Sequence, residues 1–116
     1  MIEKTVYGNR KTILISQDSF HVALPVKLTG SANAVIKAGE PLVGDVADRL
    51  SVEFAAGTTN PTGLLLHDVV LDKDGKGNGT IVLAGCIDKL KLANDVLARA
   101  EGAKIANIII TEGSAI

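Results

Sequence analysis

Phe20, Val22, Leu24, Val26 and Leu28 alternate with His21, Ala23, Pro25, Lys27 and Thr29. A period of two over this length predicts a strand with one face in a core and the other toward water. Pro25 has no N–H to give to a ladder, so this strand belongs at a sheet edge or at a bulge. Residues 29–33 read as a turn, and residues 34–38 (Ala-Val-Ile-Lys-Ala) as a short strand ending at Gly39-Glu40-Pro41. Leu42-Val43-Gly44 resumes the apolar pattern. Leu50, Val52 and Phe54 alternate again and predict a further strand.

A Gly/Thr/Asn/Pro loop at 57–61 delivers the chain into Leu64-Leu65-Leu66 and on to Leu71. Residues 72–79, rich in Gly, Asp and Lys, read as a polar hairpin loop. The β-branched run from Thr80 to Ile87 reads as the returning strand. Turn clusters at this pace predict a mostly β domain, a small barrel or sandwich. One short helix is expected near the C-terminus, capped by Asn94 or Asp95 and stopped at Gly102. At about two turns it needs the sheet to pack against. Ile105, Ile108, Ile109 and Ile110 predict a last strand.

The first dozen residues are polar, with isolated Ile2, Val6 and Tyr7 and a turn signal at Gly8-Asn9. They precede the compact apolar run Ile13-Leu14-Ile15. The expected organisation is an arm at residues 1–15, flexible when free, and one β-rich domain at 16–116. A chain of 116 residues has room for one modest core. Aromatic residues are 3% of the chain and Trp is absent, so that core is aliphatic and its stability limited. Oligomerisation or docking is therefore expected.

Charge narrows the partners. Twelve basic and 13 acidic residues leave a net charge of −1 without a basic block. Nucleic acid is not expected as a partner, because phosphate binding needs a concentrated positive face. Cys86 is the single cysteine, so nothing ties the fold to an oxidising compartment. No apolar run reaches the roughly 20 residues that span a bilayer, and no membrane partner is expected. The N-terminal residues do not read as a signal peptide.

Candidate chemistry is thin. Asp72-Lys73-Asp74-Gly75-Lys76-Gly77 opens like a calcium loop, but Lys76 stands at a ligand position and Leu83 where a bidentate Glu belongs. It reads as a turn, with no metal or other cofactor. His67, Asp68 and Cys86 supply the residue types of a thiol nucleophile with a base and an orienting acid. Neighbours on a strand face opposite ways, however, and a thiol in an apolar strand behaves as a small hydrophobe. No catalytic residues are assigned.

With those elements in order, residues 34–116 resemble the lambda-like phage head decoration proteins. The resemblance is carried by Pro41-Leu42-Val43 after Gly39, by Pro61-Thr62-Gly63-Leu64-Leu65-Leu66, and by Gly79-Thr80-Ile81-Val82-Leu83. Ala84-Gly85-Cys86-Ile87 follows, then the helix at 94–102 and the β-rich end from Ile105. The resemblance implies a structural protein rather than an enzyme. It would bind the major capsid protein as a homotrimer at three-fold positions, on the virion's outer surface, and brace the expanded head against DNA pressure. It also implies that the arm orders by adding a strand to the shell, making Lys4, Tyr7, Arg10, Ile13, Leu14 and Ile15 candidate capsid contacts. Pro41, Leu42, Val43, Ile108 and Ile110 are candidate subunit contacts, with plain core as the competing reading for each. The alternative is a phage tail or baseplate accessory domain or a carbohydrate-binding β module; for the latter, few aromatic platforms are present.

Overall fold

The alternating stretch forms β1 (His21–Thr29) in a computed structural model that describes residues 12–16 and 20–112. Then come β2 (Val35–Ile36), β3 (Pro41–Val43), a 3-10 turn at Val46–Asp48, β4 (Ala55–Ala56), β5 (Gly63–Leu65) and β6 (Val69–Val70). The longest strand, β7 (Lys76–Asp88), leads through a second 3-10 turn at Lys89–Lys91 to helix α1 (Asn94–Ala103) and β8 (Ile108–Thr111). The protein is mostly β, with its one α-helix among the described residues near the C-terminus.

Five strands pair antiparallel in the order β1-β7-β5-β3-β4. The sheet curls until its edges meet. Phe54, just before β4, bridges Leu28 of β1 in parallel. Its N–H donates to the Lys27 carbonyl at 2.8 Å, and its carbonyl accepts from Thr29 N–H at 2.9 Å. An odd number of alternating strands can close only with one parallel contact, and this is it. Closure leaves a short barrel, with the β2–β6 ribbon as a separate pair beside it.

Strand alternation then builds two cores, one on each face of the same sheet. Leu65 and Ile81 point into the barrel with Val26, Leu28, Leu42 and Phe54. Their neighbours Leu64 and Val82 point the other way, into a second core under α1, with Ile13, Leu14, Ile87 and Ala100. A strand buried on both faces reads as a continuous apolar run, which is why Leu64-Leu65 lacks alternation. Val82 and Ile87 share the outer core although they lie five apart, an odd spacing that strict alternation forbids. A register shift opposite Val22 and Ala23, followed by Gly85 at φ +145°, resets the faces. Pro25 lies on β1 at the sheet edge, as its missing N–H requires.

Several expectations need correction. Leu50 and Val52 are exposed turn residues; only Phe54 of that alternating trio is buried, and the strand starts at Ala55. The hairpin loop is shorter than 72–79, because Lys76, Gly77, Asn78 and Gly79 already belong to β7. Gly79 is there for space: a Cβ would come within 3.0 Å of Leu28 and Leu65 methyls. Helix α1 starts without a side-chain cap, at Ala93, and ends on Lys104 in the left-handed region, past Gly102. The last strand begins at Ile108, and Ile105 precedes it in a turn whose carbonyl accepts from Ile108 N–H.

The boundary of the arm also moves. Residues 13–15 continue the β1 side of β7 beyond His21, with Leu14 bridging Ile87 antiparallel. Ile15 N–H donates to the Cys86 carbonyl at 3.0 Å and Asp88 N–H to the Ile13 carbonyl at 2.9 Å. Lys91 Nζ donates to the Leu14 carbonyl at 2.8 Å. Ile13 and Leu14 are buried, so this strap is part of the domain.

Candidate functional site

Of the proposed capsid contacts, Lys4, Tyr7 and Arg10 lie outside the described residues. The side chains of Ile13 and Leu14 fill the outer core. Ile15 is half-buried. Among the proposed subunit contacts, Pro41 and Leu42 are core residues, so the competing reading holds for both. Val43 alone of that trio reaches the surface, 37% exposed. Ile108 and Ile110 are half-buried and pack against the outer core. They also line a shallow cleft of about 220 Å³ between α1 and β8, floored by Leu64 and flanked by Glu101 and Lys104.

Within the Ile105 to Ile110 segment, itself a candidate for subunit contacts, the isoleucine that reaches the surface is Ile109. It lies between Ile108 and Ile110 and, by strand alternation, faces the other way; it is 62% exposed. β8 pairs with β7 in parallel, with Cys86 opposite Ile109, and Ile15 lies across from Cys86 on the far side. Ile15, Cys86 and Ile109 thus form a cross-strand row, opposite to the Leu14, Ile87 and Ile110 row that faces the outer core. The signal was present in the sequence, since period two at 108–110 sends the middle isoleucine outward.

Other apolar side chains are exposed around the barrel. Val35 and Val70 pair directly across the β2–β6 ribbon, and both face water. Phe20, 80% exposed, precedes β1. A cross-strand aliphatic pair in water offers contact area at low ordering cost, because β-branched side chains have few rotamers to lose.

The residues weighed for catalysis are spent on structure. His67 and Asp68 sit in a bend between β5 and β6 rather than on one strand. Asp68 Oδ1 accepts from Ala38 N–H at 2.7 Å, tying that bend to the β2–β3 connection. His67 Nδ1 lies 3.2 Å from the Asp68 carbonyl oxygen. Among the described residues no hydrogen bond joins either to Cys86. Asp72 Oδ1 accepts from the N–H groups of Asp74 and Lys76, both at 2.9 Å, so its carboxylate holds the turn. No cluster of three or more His, Cys, Asp or Glu side chains suited to a metal occurs among the described residues.

Helix α1 is tied to the barrel by charge. Arg99 makes a bidentate contact with Glu40, at 2.7 and 2.8 Å, just before β3. Asp95, one turn earlier, lies 3.5 Å from Arg99 Nη2 and 3.8 Å from Lys37 Nζ. The Glu40 hydrogen bonds raise the Arg99 guanidinium above its ordinary value, keeping it charged. Desolvation pushes the Asp95 carboxyl up, but the Val96 N–H, Lys37, its own N–H and Arg99 outweigh this and hold it below the usual carboxylate value. The sequence matches no protein-family model and no curated protein.

Proposed function

We propose that this chain is a capsid decoration protein, a structural clamp that binds the outside of an expanded phage head and stabilises it. The observation that carries the reading is the order of elements. Pro41-Leu42-Val43 and Gly63-Leu64-Leu65 form neighbouring strands, followed by the long return strand, the helix and the terminal strand, in the sequence that the resemblance implies. The exposed apolar side chains of Phe20, Val35, Val70 and Ile109 give such a domain surface to bury against other proteins. The clamp acts by mass action: it binds the intact lattice and not the disrupted one, and so favours the former. It works as a homotrimer at three-fold positions against the major capsid protein, needs no cofactor, and performs no catalysis.

The buried strap changes how the arm is tested. Removing residues 1–15 would take Ile13 and Leu14 out of the core, so loss of binding would report unfolding. Removing residues 1–11 spares both. Expanded lambda-like heads stripped of their decoration protein are mixed with the purified chain, sedimented, and imaged by cryo-microscopy. Saturable density at three-fold positions, lost on removing residues 1–11 from a chain that still melts cooperatively, is the expected outcome. Absence of saturable binding to any expanded head overturns the proposal.

A further inference from the structure

Sheet edges are surfaces for other strands unless something blocks them. On β8, a four-residue strand reading Ile-Ile-Ile-Thr, neither proline nor charge intervenes. Among the described residues it pairs only with β7. Gly85 N–H donates to the Asn107 carbonyl, which fixes the hydrogen-bonding phase of the strand. Ile109 and Thr111 therefore direct their peptide groups at β7, and Ile108 and Ile110 direct theirs outward.

We infer that the free edge of β8 is a self-association surface, and that its occupant is β8 of a second copy of this chain, antiparallel about a two-fold axis through Ile109. The phase dictates the register. Outward-facing residues must meet each other, so Ile108 pairs with the partner's Ile110 and Ile110 with the partner's Ile108. Ile108 N–H is already engaged by the Ile105 carbonyl at 3.2 Å. The principal bonds therefore run from Ile110 N–H to the carbonyl of the partner's Ile108, one in each direction.

Side chains and charges favour a second copy over an unrelated strand. In this register Ile109 lies opposite the partner's Ile109, in a non-hydrogen-bonded pair where side chains approach most closely. The most exposed aliphatic side chain of the strand is thereby buried on itself. The apolar row of Ile15, Cys86 and Ile109 continues across the axis into the same row of the partner. Antiparallel pairing also turns the Glu112 end of each copy toward the partner's turn before β8, the end that carries Lys104. Both charged residues are exposed, and among the described residues neither has an ion pair. This inference goes beyond the decoration reading and does not rest on it, since the contact is two-fold and leaves other faces for a trimer.

Sedimentation equilibrium of the full chain across the micromolar range tests it. Wild type is expected to approach twice the 12.0 kDa protomer mass, and Ile109→Lys to stay at the protomer mass with an unchanged circular dichroism spectrum. A second variant covers the chance that the lysine disturbs folding. Ile109→Cys in a Cys86→Ala background, which prevents bridging to the neighbouring strand, is expected to form an intermolecular disulfide in air. Opposed Cα atoms in such a pair lie about 4.5 Å apart, within disulfide reach. Val70→Cys in the same background, exposed on β6, is the control and should remain reduced. A wild-type monomer throughout, a dimer or trimer indifferent to Ile109→Lys, or cross-linking no faster at position 109 than at position 70 would each overturn the inference.

Discussion

The edges of β1 and β8 meet the same physical problem and treat it differently. β1 carries Pro25, which offers no donor, and the Pro25 carbonyl accepts from Arg49 Nη1 at 3.0 Å. Further along, Phe54 takes up the Lys27 carbonyl and the Thr29 N–H and closes the barrel. β8 has no proline, no charge and no described strand on its outer side. An edge that folding leaves covered contributes to the stability of one molecule. One left open is available to a second molecule, and that contrast sets where substitutions should act on folding and where on assembly.

The largest effect is expected where closure is made. Phe54→Ala removes a ring with 0% exposure that packs inside the barrel and against Gly44. Loss of transfer energy and the cavity left behind should cost about 3–5 kcal/mol, read as a fall in the urea midpoint at unchanged m-value. A loss below about 1 kcal/mol, the scale of a surface change, would mean that the Leu28–Phe54 bridge does not close the barrel. Leu14→Ala comes next, at about 2–4 kcal/mol. It separates two views of the strap, because an arm outside the domain would tolerate the change with almost no loss.

How much of this was legible in the sequence depended on what covers each residue. β1 could be read because half of it faces water, so its burial pattern is printed as alternation. Leu64-Leu65 was recognisable as a strand, but two buried faces conceal which residue serves which core. Gly77 and Gly79 look like loop because glycine is usually chosen for backbone freedom; here Gly79 is a buried strand residue where a Cβ would press on the Leu28 and Leu65 methyls. Ile13-Leu14-Ile15 was read as part of an arm because a local apolar triplet does not say which distant surface buries it. The answer lay at Ile87 and Lys91, more than seventy residues away. Pro41 and Leu42 are core residues that their local pattern does not place, for the same reason, and within the Ile105 to Ile110 segment alternation alone points Ile109 outward.

A smaller change sharpens the comparison at the strap. Lys91→Met keeps the aliphatic stem and removes the ammonium that donates to the Leu14 carbonyl. A hydrogen bond to a charged donor is worth about 1.5–3 kcal/mol net, and the low end applies here because Lys91 is exposed. Hydrogen exchange should show faster opening at Ile15 and Asp88, whose amides hold the strap, with little change at Thr29 on the closed edge. Equal acceleration at both places would mean that strap and barrel open as one unit.

The smallest effect expected is electrostatic and concerns the helix beside β8. Asp95 sits between Lys37 and Arg99, and its carboxyl is held below the ordinary value. A carboxylate with a depressed folded-state pKa stabilises the fold fully above its unfolded-state value. That contribution disappears as pH falls through the lower folded-state value. The difference in melting temperature between wild type and Asp95→Asn should therefore be constant from neutral pH down to the usual carboxylate range and vanish below it. High salt should shrink the neutral-pH difference, because both ion pairs are solvent-exposed. The amides of β1 at the Phe54 closure, whose charged neighbours Glu53 and Lys76 are the same in both proteins, should exchange alike in the two at every pH. A difference that persists in strong acid would mean that the effect of Asp95→Asn does not come from the carboxylate charge.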